Sequence, residues 1–160
     1  MNRMGVDAGE FRSVLGHFAS GVVLITGMSE GEPAGLTCQS FFSLSLDPPL
    51  VAVAPGKNST SWPKVSSSGS ICMNILSDEQ EPLAWTFAQT GADKFAGVGW
   101  VPAAHGAPRL HDALAWVDGV IEDVFDTGDH WLVTVRVVDL ESRPGRPLLF
   151  YRGGFGGFAP

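Results

Sequence analysis

The sequence predicts a mostly-β fold: an antiparallel barrel, closed or split, with a few short peripheral helices. Three observations predict it. Runs of β-branched and apolar residues of strand length follow one another, with Gly, Pro and Asp between them. Helical periodicity is confined to short segments that open on capping residues. The strand–helix–strand rhythm of a parallel sheet is missing, and closing an antiparallel sheet protects its edges. With 160 residues, 44% of them hydrophobic, the chain supports one domain over residues 1–160 with its own core.

Residues 1–10 form an N-terminal segment leading into the first helix. Asp7 is placed to cap it, and Glu10 three residues later completes a capping box. Phe11, Val14, Leu15 and Phe18 recur at helical spacing and make one apolar face. The helix is expected to end near Ser20-Gly21. Residues 22–26 are β-branched and apolar, and Gly31-Glu32-Pro33 reads as a turn. Residues 34–46 read as one long extended stretch, with Phe42, Leu44 and Leu46 on one face. Asp47-Pro48-Pro49 interrupts it, because proline cannot continue a ladder. Residues 50–54 are a short apolar strand, expected to be buried on both faces.

Pro55-Gly56 breaks the chain again, and a short helix is expected over residues 59–67, ending at Gly69. Residues 71–76 are a further strand. Ser77 and Gln80 form a second capping box, opening a helix that runs to Ala88. Pro82 lies early enough in it to be tolerated. Residues 91–111, rich in Gly, Ala and Pro, read as a long surface excursion. Two long strands follow, about residues 114–125 and 131–140, the second with Trp131, Val133, Val135 and Val137 on one face. A last strand over residues 147–152 precedes a Gly-rich tail.

Charge and motif content exclude several functions. Ten basic and 17 acidic residues give a net charge of −7. No basic stripe is present, so neither nucleic acid nor an anionic membrane is an expected partner. Only the basic group between Arg143 and Arg152 is dense, and it also reads as a solvated loop and strand end. No apolar run approaches the roughly 18 residues of a membrane span, and the N-terminus carries no signal-peptide core. The two cysteines, Cys38 and Cys72, sit in apolar surroundings and read as buried free thiols of a cytoplasmic protein. His17, His105, His111 and His130 are not clustered with the cysteines, so no metal site is expected. The sequence has no G-x-G-x-x-G between a strand and a helix, no Walker loop and no G-x-S-x-G elbow.

Four segments place polar donors beside sharp turns. Residues 35–41 carry small and hydroxyl side chains that leave backbone amides open to a flat ligand; taken alone, they read first as an ordinary edge strand. Lys57-Asn58-Ser59-Thr60-Ser61-Trp62 combines a cation with hydroxyls at a helix start, either a phosphate cradle or simple capping. In Asp93-Lys94-Phe95 a cation stands beside an aromatic, as a ligand clamp or as a loop anchored by one Phe. Gly128-Asp129-His130 makes a tight turn whose imidazole is either solvated or within reach of a substrate.

Taken together, "FRSVLGHFASGVVLIT", "GLTCQSFFSLSLDPPLVAVAP", "KNSTSW", "DKFAG", "GDH" and "PLLFYRGGF" resemble the flavin reductase-like family of FMN-binding split barrels. The resemblance runs from about Phe11 to Gly157. It implies an NAD(P)H-dependent flavin reductase that passes hydride from NADH or NADPH to FMN or FAD and supplies reduced flavin to a partner monooxygenase. It also implies a homodimer with the flavin near the interface. Thr37, Cys38, Gln39, Ser40 and Phe41 would line the isoalloxazine ring, with Gln39 and Ser40 at its polar edge. Ala54 and Pro55 would support the ring or the ribityl chain. Lys57, Ser59 and Ser61 would hold the phosphate, and Lys94 and Phe95 would close over the cofactor. Tyr151 and Arg152 would complete the site. His130 resembles the family histidine near the nicotinamide and would aid binding more than chemistry. Two other readings stay open: a non-catalytic flavin-binding or electron-transfer module, and a different split-barrel oxidoreductase of pyridoxamine-phosphate oxidase or deazaflavin type.

Overall fold

A computed structural model describes residues 5–91 and 93–160. Residues 1–4 of the expected N-terminal segment and Ala92 of the expected excursion lie outside the described residues. The elements in chain order are α1 (Ala8–Leu15), β1 (Ser20–Gly21), β2 (Val23–Ser29), β3 (Glu32–Cys38), β4 (Phe41–Ser45), β5 (Leu50–Val53), α2 (Trp62–Val65) and β6 (Ser70–Ile75). A single 3-10 turn (Asp78–Gln80) then leads into α3 (Glu81–Ala88), β7 (Trp100–Pro102), β8 (Pro108–Leu110), β9 (Ala115–Thr127), β10 (His130–Ser142), β11 (Leu148–Tyr151) and β12 (Gly154–Gly157).

The main sheet has seven strands in the order β3-β2-β6-β9-β10-β5-β4, every neighbouring pair antiparallel. Its two edge strands, β3 and β4, are consecutive in the chain and separated by Gln39-Ser40 alone. Two residues span roughly 10 Å at most, so the sheet must roll until its edges meet. This is the physical reason that residues 34–46, expected as one extended stretch, divide into two strands. A bulge between Ser43 and Ser45 also breaks the expected alternation of Phe42, Leu44 and Leu46.

The run from Val22 to Ile25 is apolar throughout because both of its faces are buried. Val23 and Ile25 face the barrel interior with Val51, Val53, Val133 and Val135. Val22 and Leu24 face outward into a second cluster with Leu76, Ala84, Phe87 and Leu148. The interior is plugged by α2, which inserts Trp62 and Val65. Gly27 permits this, because a Cβ there would run into the Val65 backbone. The second cluster lies under α3 and the hairpins β7–β8 and β11–β12.

Several boundaries differ from expectation. Asp7 caps α1 by accepting from the Gly9 and Glu10 amides at 2.8 and 3.0 Å, but the helix ends at Leu15, capped by Gly16, well before Ser20. Its apolar face is not buried within the chain: Phe11 is 56% exposed and Phe18 82%. The helix expected over residues 59–67 is the single turn α2, which carries Pro63 in its first turn and is capped by Ser66, with the left-handed Gly69 following. The capping box of Ser77 and Gln80 is present and opens a 3-10 turn that continues into α3.

Residues 91–111 are not a bare excursion: β7 and β8 form a hairpin fastened to the sheet. Thr26 Oγ1 donates to the Pro108 carbonyl at 2.6 Å, and Asn74 Oδ1 accepts the Leu110 amide at 2.8 Å. Arg109 pairs with the buried Asp118 and, at 2.8 Å, with Asp139, and its guanidinium lies 3.3 Å over the Trp116 ring. The Gly-rich tail supplies an unexpected strand, β12, whose Phe155 packs edge-on against Phe150 and Trp85. Among the described residues no helix is long and apolar enough to cross a membrane.

Candidate active site

The crossing from β3 to β4 at Gln39-Ser40 creates the first part of the site. Ser40 Oγ donates to the Ala54 carbonyl at 3.0 Å and accepts the Ala54 amide at 3.1 Å. Cys38 Sγ lies 3.0 Å from the same oxygen. The single hydroxyl proton is already given to Ala54, so the thiol is the donor. Ser40 is thereby engaged within the chain, and its hydroxyl fixes this seam, where β3 passes into β4 beside the end of β5, rather than presenting an edge to a ligand. Thr37 Oγ1 is likewise engaged, donating to the Ala84 carbonyl of α3 at 2.6 Å. Phe41 packs on the barrel interior. Gln39 alone of this segment is exposed. It lines a cavity of about 690 Å3 whose walls are Phe11, Leu15 and Phe18 of the first helix region with Phe150 and Arg152.

The hairpin tip between β9 and β10 forms the second part. Gly128 adopts a positive φ of 75° there, which permits the two-residue connection. The Lys57 amide donates to the Asp129 carbonyl at 2.9 Å, and the Trp131 amide to the Pro55 carbonyl at 2.9 Å. This strap carries residues 54–57 onto the tip. The Lys57 ammonium pairs with Asp126 and lies 4.7 Å from the Trp131 ring centroid. His130 Nδ1 meets Asp129 Oδ1 at 2.6 Å, and the imidazole hydrogen bond holds the Asp129 carboxyl below the usual range. The sequence thus brings Ala54, Pro55, Lys57 and His130 together.

The third part lies at α2. Ser59 Oγ accepts the Trp62 amide at 3.1 Å and so caps the turn. Ser61 Oγ accepts from Lys94 Nζ at 2.9 Å, and the same ammonium donates to the Gly35 and Phe87 carbonyls at 3.2 and 3.0 Å. Burial, reinforced by the charge of Lys64, pushes the Lys94 ammonium below its ordinary pKa. Phe95 packs edge-on against Phe87 with centroids 4.9 Å apart. A cavity of about 380 Å3 opens here, lined by Gly35, Thr60, Ser61, Lys64, Asp93 and Lys94 among others. Lys57 and Ser61, expected in one phosphate cradle, instead face different partners.

Tyr151 and Arg152 turn the β11–β12 hairpin onto the end of α1. The Arg152 amide donates to the Gly16 carbonyl at 3.1 Å, and the Tyr151 ring stands edge-on to His17. Sequence reading missed Lys64 and the part α1 takes in the large cavity. Lys64 carried no signal separating it from any surface lysine. The helix face was visible as an apolar periodicity, but nothing in that pattern showed that it stays exposed within the chain.

Comparison with known proteins settles the family. Residues 15–159 match the flavin reductase like domain. The chain belongs to the flavin reductase-like family. It is 46% identical to the reductase subunit HsaB of a flavin-dependent monooxygenase from Rhodococcus jostii, over 97% of this chain and 80% of that protein. It superimposes on nitrilotriacetate monooxygenase component B from Mycobacterium thermoresistibile with a TM-score of 0.90 at 46% identity, covering 94% of this chain and 86% of the other. An NADH:FAD oxidoreductase from Streptomyces globisporus, solved with NAD and FAD fragments, gives a TM-score of 0.90 at 33% identity, covering 96% and 94%. In this flavin reductase-like chain, the seam, the hairpin tip and the Lys94 cluster all border β3 or the loop that follows β5. The antiparallel split barrel expected from sequence is the architecture found.

Proposed function

We propose that this chain is an NAD(P)H:flavin reductase that transfers hydride from NADH or NADPH to FMN or FAD and supplies reduced flavin to a separate monooxygenase. The observation that carries the reading is the family match over residues 15–159, joined to relatives that are monooxygenase reductase components. The site has the character the cofactor requires. A cavity of about 690 Å3 with aromatic and aliphatic walls and Gln39 at its rim has the size and polarity of a pocket for a planar ligand.

When bound, the flavin supplies the acceptor for the hydride of the reduced nicotinamide. The chain supplies placement. Gln39 and the backbone amides that follow Thr37 face the polar edge of the ring. Cys38, Ser40, Phe41 and Ala54 hold the seam on which that edge rests, and Pro55 fixes the loop beyond it. Phe11, Leu15, Phe18 and Phe150 exclude water from the rings, which favours close stacking over solvation. His130 reaches the nicotinamide from the hairpin tip, oriented by Asp129. Ser61, held by Lys94, faces the flavin phosphate; Lys57 and Ser59 shape the loop between. Tyr151 and Arg152 complete the wall beside α1. A second copy of the chain covers the exposed face of α1, and the exposure of Phe11, Val14, Leu15 and Phe18 supports this homodimer.

The experiment is steady-state NADH and NADPH oxidation with FMN, FAD and riboflavin in parallel, followed by anaerobic mixing. Rapid bleaching of the flavin colour by the reduced nicotinamide is expected. A protein that binds flavin but leaves it yellow under NADH and NADPH is a binding module, and the reductase reading fails.

A further inference from the structure

We infer that Lys64, acting with the Ser61 hydroxyl that Lys94 orients, reads the flavin phosphate and selects FMN and FAD over riboflavin. The inference rests on the flavin reading above and adds to it the residue that sets specificity. An ammonium has three donors. Those of Lys94 are taken by Gly35, Ser61 and Phe87, so Lys94 has none left for a ligand unless it releases the chain. It acts as a positioning residue. By occupying a lone pair of Ser61, it leaves the Ser61 proton free to be donated into the cavity.

Lys64 completes the arrangement. It lies three residues after Ser61, on the same side of the turn, and lines the same cavity. Its side chain is exposed, and among the described residues it makes no ion pair. Two ammonium groups therefore share one cavity with the hydroxyls of Thr60, Ser61 and Thr90. Asp93 also lines it and makes no ion pair among the described residues, so one carboxylate faces two cations and leaves a positive surplus. Lys64 lowers the proton affinity of Lys94 across this space. A phosphate group, doubly charged or nearly so, relieves that repulsion and accepts from hydroxyls and ammonium at once. The cavity borders Gly35 of β3, while Gln39 lies four residues further along the chain, just past the end of that strand. That separation is roughly 13 Å, a distance that the ring, from its polar edge, and the ribityl chain bridge together.

The test is the dissociation constant of FMN, FAD and riboflavin, from quenching of flavin fluorescence, for wild type, K64M and K64R. K64M is expected to weaken FMN and FAD about tenfold, as loss of one charge-assisted bond does, and to leave riboflavin unchanged. K64R is expected to keep the preference. Raising the salt is expected to weaken FMN in wild type more than in K64M. Lys64 is exposed, so the variants keep the fold, which circular dichroism checks. An FMN-to-riboflavin ratio that K64M does not move overturns the inference while leaving the reductase reading intact. Failure of the wild type to bind any of the three removes both.

Discussion

Ser40 and Ala54 extend the β4–β5 ladder by one reciprocal pair, the hydroxyl donating to the Ala54 carbonyl at 3.0 Å and accepting its amide at 3.1 Å. The chain passes here from one edge strand, β3, to the other, β4, and Cys38 adds its thiol to the same oxygen. S40A removes the bridging hydroxyl and leaves the partly buried carbonyl short of a donor. The Ala54 amide retains a longer bond to the Ser40 carbonyl. We expect a loss of about 1–2 kcal/mol, seen as a lower urea midpoint at unchanged slope, together with weaker flavin binding. An unchanged midpoint would show that the seam is held by strand pairing alone.

At the hairpin tip, His130 is oriented by Asp129 and stands beside the strap formed by residues 54–57. Hydride transfer moves no proton through this imidazole, so its contribution is to binding. H130A is expected to raise KM for NADH severalfold with a smaller fall in kcat. Steady-state kinetics across NADH concentrations measure the split. A large fall in kcat at constant KM would assign His130 to the chemical step instead.

Much of this arrangement was legible in the sequence, and the exceptions have local physical causes. Strands β2 and β10 declare themselves through β-branched runs, and α1 and α3 through Asp7, Ser77 and Gln80. β12 did not, because Gly154, Gly156 and Gly157 are residues that strands ordinarily lack; its stability comes from Phe155 packing on Phe150 and Trp85, partners distant in sequence. The division at Gln39-Ser40 follows from barrel closure, a global constraint with no local mark. Of the site, the segments were visible and their pairings were not. Nothing near Lys57 predicts Asp126 as its partner, and nothing near Lys94 predicts Ser61, because each pair forms only once distant strands are brought together.

The exposed face of α1 carries its own prediction. Phe18 is 82% exposed and lines the large cavity. A homodimer that buries this face should dissociate when a charge is placed there, since a buried unpaired carboxylate is strongly disfavoured. F18D is expected to shift the molecular mass by light scattering from two chains to one and to weaken flavin binding in parallel. A dimer that survives F18D places the interface elsewhere.

Arg109 fastens the β7–β8 hairpin through Asp118, Asp139 and the Trp116 ring. The Asp118 side chain is 3% exposed, so R109M strands a buried carboxylate. The expected cost is about 3–5 kcal/mol, read as a fall in urea midpoint. R109K is expected to recover little, because an ammonium offers neither the forked donors nor the planar stack. The double variant R109M/D118N should recover much of the loss by removing the stranded charge. Equal destabilisation in R109M and the double variant would mean that stacking on Trp116, not the ion pair, fastens the hairpin.

Lys94 gives the pH dependence. Burial and the nearby charge of Lys64 lower its pKa below the ordinary 10.5. The native state therefore holds this proton less tightly than the unfolded chain does. Between the lowered native value and 10.5 the unfolded state binds more protons, so this group makes stability rise with pH across that window. K94M has no such titration. The urea midpoint of wild type relative to K94M is expected to improve as pH rises from neutrality towards 10.5, whatever the absolute trend of either protein. K94M should also free the Ser61 hydroxyl and weaken FMN binding at every pH, since Lys94 no longer orients it. A relative midpoint that stays flat or falls with rising pH would mean that the three carbonyl and hydroxyl oxygens around Nζ outweigh its burial and keep its proton as firmly in the native state as in the unfolded chain.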